Sequence, residues 1–391
     1  MKVSKKNKKK KIGRPFAPLY LAACVVLRPI WKLKYNLKID NSAMKGDKGP
    51  ALVLGQHLSN YDHVLTGLTL FPRRPNFVAS EHFLLKPALR FVFRIMHVIT
   101  KKMFCADVPA ILNMMRAKAE GNTIVLFPEG RLPANGMSAP VTAGTAELVK
   151  KLGINVYLLR GEGTYKTFPK WGNKARKGKI SVRTDRIFTA EELKTLTVKE
   201  IGEKLDRVFV HDDETSLPDV VYRSKDTTAG LDGILWKCPE CGAEGTLITG
   251  KSKITCPCGM EASLGEDWRL TGSRFARVNE WYLWQREELW NGNVSLETEC
   301  VIGTPDEKGN LIPDAGLGRM KIDKETFTLT GTLLGEELSV GMPLDKLGGF
   351  PITVGQHVDI YDKNRLLYLY PTPDPRTSMR WVAWLDRYHS V

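Results

Sequence analysis

The segment Gly55–Asp62 (GQHLSNYD) follows the apolar run Ala51–Leu54 and precedes apolar residues at helical spacing. The run predicts a buried strand and the later spacing predicts a helix, so His57 is expected at a strand-to-helix junction. A polar side chain at such a junction can face a ligand, and the Asp62 carboxylate can orient the imidazole of His57 as a base. The alternative interpretation is a helix cap, since Ser59 and Asp62 have capping-box spacing.

The same spacing of histidine and aspartate recurs at His357 and Asp362, within a segment that alternates like a strand. Spacing alone therefore does not identify a site, and the context must separate the two pairs. We interpret His357 and Asp362 as strand residues that face solvent.

A second polar loop follows another predicted buried strand. Asn122–Phe127 is largely apolar, and Pro128–Arg131 (PEGR) interrupts it abruptly. Together the two loops resemble motifs of the glycerolipid acyltransferases of the lysophosphatidate acyltransferase (PlsC-like) type. The first motif of that family, N-H-x-S-x-x-D, appears at Gln56–Asp62 with Gln in place of Asn. The third, F-P-E-G with a nearby Arg, appears at Phe127–Arg131, but the Thr or Ser that often follows the Gly is missing.

The two remaining family motifs match loosely. Val98–Lys102 carries Lys101 and Lys102 where the second motif usually has an Arg, and Asn155–Gly161 keeps the apolar run of the fourth motif without its prolines. The resemblance covers roughly residues 15–212. It implies the αβ sandwich of this family for residues 40–215, which agrees with the alternating strand and helix signals there.

The resemblance also implies an activity. A fatty acyl group would move from an acyl thioester, acyl-CoA or acyl-carrier-protein, to the hydroxyl of lysophosphatidate (1-acylglycerol-3-phosphate) in phospholipid biosynthesis. The same chemistry on glycerol 3-phosphate or another lysolipid is the alternative. By this resemblance His57 is the general base and Asp62 orients it, so no protein nucleophile is required and Cys105 is interpreted as a small apolar residue.

The acceptor site is likewise implied by the family. Glu129, Gly130 and Arg131 would line it, and Arg131 would grip phosphate. Lys101 or Lys102 would supply a second cation; the alternative for both lysines is a solvated turn.

The net charge of +15 is concentrated at the amino terminus, because the first 38 residues hold ten Lys and two Arg and no acidic residue. The basic run Lys5–Lys11 leads into the apolar run Pro15–Leu27, which is shorter than the ~20 residues that cross a bilayer as a helix. We interpret residues 1–39 as a basic, amphipathic membrane-anchoring segment that binds an anionic surface, peripheral or monotopic, on the cytoplasmic face of the cell membrane. The alternative is a disordered tail before an ordinary first helix.

Four cysteines form a second candidate site, in a module over residues 220–265. Cys238 and Cys241 form one close pair, and Cys256 and Cys258 form another. Two such pairs suit four thiolates around one tetrahedral zinc ion, and the strand-like residues between them predict a zinc ribbon with structural zinc. Disulfides and an iron–sulfur site are the alternatives.

The carboxy-terminal region, residues 266–391, begins with aromatic residues that we assign to one helix with a packing role. These residues are Trp268, Phe275, Trp281, Tyr282, Trp284 and Trp290. Short strands and a final helix over Met379–Tyr388 follow, a pattern similar to a PH or GRAM-like domain. The predicted fold class is therefore α/β, an acyltransferase sandwich followed by a zinc ribbon and a β-rich domain.

Two points stay open at this stage. The basic loop Pro169–Lys177 is either solvated or, as in similar loops of the family, near the membrane or the phosphate site. A zinc-ribbon nucleic-acid-binding or regulatory protein with a basic arm is the rival function. The charge pattern disfavours nucleic acid, since no basic stripe runs through the folded part.

Overall fold

The chain is described by a computed structural model over residues 11–85, 87–102, 107–292, 295–344, 347, 352–362 and 365–389. Most of the basic run Lys5–Lys11, and Cys105, lie outside the described residues.

The amino-terminal half alternates helices and strands. In chain order its elements are α1 (Ala17–Tyr35), β1 (Lys38–Asp40), β2 (Ala51–Gly55), α2 (Asp62–Leu70), β3 (Asn76–Ser80), α3 (Pro87–Ile95), β4 (Ile99–Lys101), α4 (Val108–Ala119), β5 (Thr123–Leu126), α5 (Thr145–Leu152), β6 (Asn155–Glu162), α6 (Thr164–Thr167), β7 (Ser181–Phe188), α7 (Glu192–Thr195) and α8 (Val198–Phe209). Short 3-10 helices lie at Ser42–Met44, Glu81–Leu85, Leu231–Gly233 and Pro375–Thr377.

These strands form one sheet in the order β1-β7-β6-β2-β5-β3-β4, and its pairs are parallel except β6 with β7. Residues along β2 alternate between two buried layers. Leu52 and Leu54 pack with α4, α5 and α8, whereas Ala51 and Val53 pack with α1 and α2. Because helices cover both faces, β2 is apolar throughout and fully buried. The fold is the mixed α/β sandwich that the alternating pattern predicted.

The topology places the two polar loops together. β2 and β5 are adjacent and parallel, with Leu54 opposite Leu126 at their carboxyl ends. The segments that follow them, starting at Gln56 and Phe127, therefore leave the same edge of the sheet, where ligands bind in open α/β sheets.

Helix α1 is longer than the apolar run predicted, reaching Tyr35 with Pro29 inside it. It buries one face, including Tyr20 and Trp31, and leaves apolar side chains exposed on the other. The exposed ones include Leu19, Val25, Val26, Ile30 and Leu33. Within the described ranges, no helix combines enough length and apolar character to span a bilayer.

The cysteine module is a small antiparallel sheet. Its strands, in the order β11-β10-β9-β8, are β8 (Ile248–Thr249), β9 (Lys253–Thr255), β10 (Glu261–Leu264) and β11 (Leu270–Thr271). The hairpin of β8 and β9 lies between the two cysteine pairs, where the sequence predicted strands.

The carboxy-terminal region is one antiparallel sheet flanked by helices. Its elements are α9 (Val278–Asn291), β12 (Leu296–Pro305), β13 (Leu311–Ile322), β14 (Thr326–Leu333), β15 (Glu336–Pro343), β16 (Ile352–Thr353), β17 (His357–Asp362), β18 (Arg365–Pro371) and α10 (Ser378–His389). The strand order is β15-β14-β13-β12-β18-β17-β16. This region is β-rich as predicted, and its likeness to a PH or GRAM-like domain stays a prediction.

Two sequence interpretations are wrong here. Trp268 and Phe275 precede α9 and do not belong to it, because the chain turns through a left-handed backbone at Trp268 (φ 64°) before the helix begins at Val278. His357 does not face solvent: its side chain is buried, and Nδ1 lies 2.6 Å from Oδ1 of Asp359. The cause is that β17 is covered on both faces, unlike the half-exposed strand that the alternation suggested.

The three regions share buried apolar contacts. One buried cluster contains Leu58 and Trp171 of the sandwich, Ile254 of the cysteine module, and Trp281 and Trp384 of the carboxy-terminal helices. The relative placement of the regions therefore depends on buried surface as well as on the linking chain.

Candidate active site

His57 and Asp62 are in direct contact. Nδ1 of His57 lies 3.0 Å from Oδ2 of Asp62, and the carboxylate also accepts hydrogen bonds from the Ser59 amide (2.8 Å) and hydroxyl (2.7 Å). Three donors thus hold the carboxylate of Asp62. Asp62 is the first residue of α2. When Nδ1 carries the proton that faces Asp62, Nε2 is free to accept one. The imidazole is partly accessible, with 24% of the side chain exposed.

Glu129 connects the two loops. Oε1 accepts a hydrogen bond from the His57 amide (2.8 Å), and Oε2 accepts one from the Ala139 amide (2.7 Å). Burial raises the pKa of this carboxyl to about 8, while the two amide donors oppose the shift. Glu129 is therefore placed to fix the backbone of the histidine loop, and Gly130 follows it in a left-handed turn (φ 71°).

The His57 ring stacks on Phe127, with ring centroids 4.6 Å apart. Phe127 in turn lies against the end of β2, where a Cβ on Gly55 would stand 2.5 Å from its ring. The Gln that replaces the motif Asn at Gln56 is buried and donates to the Phe209 carbonyl of α8 (3.3 Å). Neighbours on two sides thus limit the orientations open to the imidazole.

Arg131 forms an ion pair with Asp386 of α10. Burial, the largest single influence, lowers the pKa of Arg131, but the charge and hydrogen bond of Asp386, together with Tyr282 and Glu129, raise it overall. The residue that the family motif assigns to phosphate is thus held by a carboxylate from the other end of the chain. No local pattern in the sequence predicts this contact, because the partners are 255 residues apart.

Of the two predicted lysines, Lys101 lies in the wall of the site at the end of β4, and its Nζ bonds to the Lys102 carbonyl (2.9 Å). Lys102 is exposed beside it, with its amide bonded to Asp107 (2.8 Å). The structure thus brings Lys101 to the cavity that His57 faces, whereas Lys102 is exposed and does not line that cavity.

A cavity of about 2080 Å³ joins these groups. Its polar wall includes His57, Glu129, Gly130, Arg131 and Lys101. Apolar side chains of α1 and α3 form another part of the wall; they include Leu19, Ala23, Leu89, Val92 and Phe93.

Several residues of the wall were not predicted. Lys170 follows α6, Asp232 belongs to the cysteine module, and Gln356, Asp359 and Tyr361 come from the carboxy-terminal sheet. The basic loop around Lys170 was the one signal in the sequence. Nothing local marked the others, since distant regions of the chain bring them to the cavity.

The four predicted metal-ligating cysteines also converge. All the sulfur atoms of Cys238, Cys241, Cys256 and Cys258 lie within 4.8 Å of one another. Sγ of Cys238 is 3.8 Å from that of Cys258, and Sγ of Cys241 is 3.8 Å from that of Cys256. A tetrahedral ion with metal–sulfur bonds of about 2.3 Å requires sulfurs about 3.8 Å apart, so the four side chains fit such a site.

Two matches to known proteins concern this part of the chain. A family model described as Acyltransferase matches residues 36–159. The crystal structure of the 1-acyl-sn-glycerophosphate (LPA) acyltransferase PlsC from Thermotoga maritima matches with 18% sequence identity and a TM-score of 0.40, over 50% of this chain and 75% of that one.

Proposed function

We propose that this protein, whose residues 36–159 match the Acyltransferase family model, transfers a fatty acyl group from an acyl thioester to the hydroxyl of lysophosphatidate. The observation that carries the proposal is the contact between His57 and Asp62 at 3.0 Å, in a cavity that has both cationic and apolar walls. The apolar wall favours an acceptor with an acyl chain over glycerol 3-phosphate.

The reaction follows from the position of the histidine. Nε2 of His57 takes the proton of the acceptor hydroxyl while that oxygen attacks the thioester carbonyl, and Asp62 stabilises the imidazolium that forms. The tetrahedral adduct then collapses: the C–S bond breaks, and the imidazolium returns the proton to the departing thiolate. The products are an ester and a free thiol, and no group on the protein is acylated.

The acceptor would bind beside this pair. Arg131 and Lys101 offer positive charge to its phosphate, Gly130 allows close approach of the backbone, and Glu129 holds the two loops together. The donor is an acyl-CoA or an acyl-carrier-protein, and the large cavity leaves room for a second acyl chain next to that of the acceptor.

The test is release of free thiol from a long-chain acyl-CoA, with and without lysophosphatidate. We expect lysophosphatidate to stimulate release, and His57→Ala and Asp62→Asn each to lower the stimulated rate by roughly 10²–10⁴-fold, since the first removes the general base and the second removes the carboxylate that orients it. The matched control is His97→Asn, because His97 is exposed and has a positive φ that Asn tolerates.

Full stimulated activity in His57→Ala would contradict the assigned base. If wild type releases no thiol, the acyl-carrier-protein donor is tested next, and failure with both donors would contradict the proposed function.

We also propose that the four cysteines hold one structural zinc ion. Four thiolates with this separation leave no open coordination position for a substrate, which is typical of structural sites. When bound, the zinc would lock the two turns that carry the cysteine pairs. Disulfides would need much shorter separations between the sulfurs.

We propose further that α1 attaches the protein to the cytoplasmic face of the membrane. Leu33 is 87% exposed on the same helix as the basic Lys32 and Lys34, so apolar and cationic groups together face outward.

The test of this proposal is vesicle flotation. We expect the protein to float with phosphatidylglycerol vesicles, to float less at high salt, and to lose flotation several-fold in Leu33→Glu. The control Val221→Glu, at an exposed valine of another region, should float like wild type; equal loss in both variants would contradict a role for α1.

A further inference from the structure

The basic loop after α6 reaches the cavity at one residue. Lys170 lies in its wall, in the same cavity as His57 and Arg131. We propose that Lys170 binds the anionic group of the acceptor, in a subsite that Arg131 shares and that Asp359 of the carboxy-terminal domain closes. The inference rests on the proposed function and deepens it. It adds Lys170, a residue outside the family motifs, as the side chain that selects an acceptor with an anionic group.

The backbone at Lys170 is held by its neighbours. Pro169 and Trp171 are both buried, and the amide of Gly172 bonds back to the Pro169 carbonyl (3.0 Å). The Trp171 indole donates to the Tyr165 hydroxyl (2.8 Å). The lysine therefore projects from a turn fixed on either side, which lowers the conformational entropy lost when a ligand binds.

Lys170 also differs from the other cations of the wall. Within the described part of the chain, its Nζ makes no hydrogen bond or ion pair, whereas Lys101 bonds to a carbonyl and Arg131 pairs with Asp386. An ammonium that forms no direct hydrogen bond or ion pair gains most from an anionic ligand, because no group in contact with it offsets the cost of its burial.

The charges around Lys170 support this role. The pKa of Lys170 is lowered to about 8, chiefly by burial and also by the nearby Arg131, while Asp359 opposes the shift. Asp359 in turn is bonded to His357, and Arg131 to Asp386. The cations of Lys170 and Arg131 thus face the carboxylates of Asp359 and Asp386. Loss of the Lys170 charge would leave this group of four side chains net negative, and it would then repel a phosphate.

The kinetic test compares three variants of the full chain. We expect Lys170→Ala to raise the KM for lysophosphatidate at least tenfold with kcat changed less than about threefold, because binding and not proton transfer is lost. Lys170→Arg, which keeps the charge, should restore most of the affinity. Lys174→Ala is the control, since Lys174 lies in the same loop but points outward and pairs with Asp226. An unchanged KM in Lys170→Ala, or an equal rise in Lys174→Ala, would overturn the inference.

A second test does not depend on catalysis. Pyridoxal 5′-phosphate followed by borohydride labels amines beside an anion site, and peptide mass spectrometry gives the labelled fractions of Lys170 and Lys174. We expect preferential labelling of Lys170 and protection by lysophosphatidate but not by neutral monoacylglycerol. Protection by inorganic phosphate at similar concentration would identify a free-phosphate site and overturn the assignment to the lipid.

The two tests separate the two proposals. Protection of Lys170 by lysophosphatidate in a protein that transfers no acyl group would support the subsite and contradict the proposed function. Acyl transfer without any protection of Lys170 would support the proposed function and contradict the subsite.

Discussion

Glu129 joins two segments of the candidate site through one buried carboxyl group. Both of its oxygens accept backbone N–H groups, one from the histidine loop and one from the segment before α5. Its side chain is 3% exposed, so water cannot replace these contacts. Loss of either contact would free the backbone at His57, and the geometry of the base depends on that backbone.

The raised pKa of Glu129 predicts a pH dependence of stability. The folded protein keeps this proton up to about pH 8, whereas the unfolded chain loses it near pH 4.5, so the free energy of unfolding falls as pH rises between those values. Glu129→Gln should make this fall shallower by up to about 1.4 kcal/mol per pH unit. Glu214, whose pKa burial also raises to about 8, keeps its own contribution.

Urea unfolding at pH 5, 6, 7 and 8 measures the slope. The exposed Glu203→Gln should leave it unchanged; an identical slope in wild type and Glu129→Gln would contradict the assignment.

Among the elements, the turn after α6 packs directly against residues of the other two regions. Arg176 is buried between the rings of Trp171 (5.0 Å) and Trp268 (4.4 Å), and it donates to the Thr227 carbonyl (2.7 Å). Burial lowers its pKa to about 10. The turn that carries Lys170 is thus packed against the cysteine module through this guanidinium.

Arg176 predicts two different outcomes for two substitutions. Arg176→Ala leaves a cavity between the two indoles and should cost about 2–4 kcal/mol of stability. Arg176→Met fills the space and removes a buried cation with two unpaired nitrogen atoms, so it should lie within about 1 kcal/mol of wild type. Thermal and urea unfolding compare the two; equal losses would show that the charge, and not the packing, is what matters there.

On the scale of the whole molecule, the carboxy-terminal domain completes a cavity that begins in the sandwich. Asp386 pairs with Arg131, and Asp359 lies in the cavity wall. Arg376 pairs with both Asp374 and Asp232, which joins this domain to the cysteine module. The cavity wall around Arg131 therefore depends on the docking of all three regions.

Metal removal tests this dependence. We expect one zinc per chain by elemental analysis, lost in Cys241→Ser and Cys258→Ser and kept in Cys24→Ala, whose thiol lies in α1. Because Cys238 and Cys256 belong to the buried cluster shared with the carboxy-terminal domain, chelation should expose residues 225–275 to proteolysis and raise the KM for the acceptor. Full zinc content in both serine variants would contradict the site.

Much of the fold follows from local pattern. Strands β2, β5 and β6 of the sandwich lie close to the apolar runs that predicted them, because each run is short and bounded by turns. The contact of His57 with Asp62 and the grouping of the four cysteines are also local. A turn or a strand-to-helix junction brings residues that are near in sequence to within bonding distance.

The amino-acid sequence by itself thus determined the α/β class, the histidine–aspartate pair and the cysteine cluster. The tertiary structure decided that Arg131 faces Asp386, that Lys170 enters the cavity and that His357 is buried. The physical reason is that these features depend on which surfaces pack together across hundreds of residues. The local periodicity of the sequence shows which face of a helix or strand is apolar, but it does not show which distant side chains pack against that face.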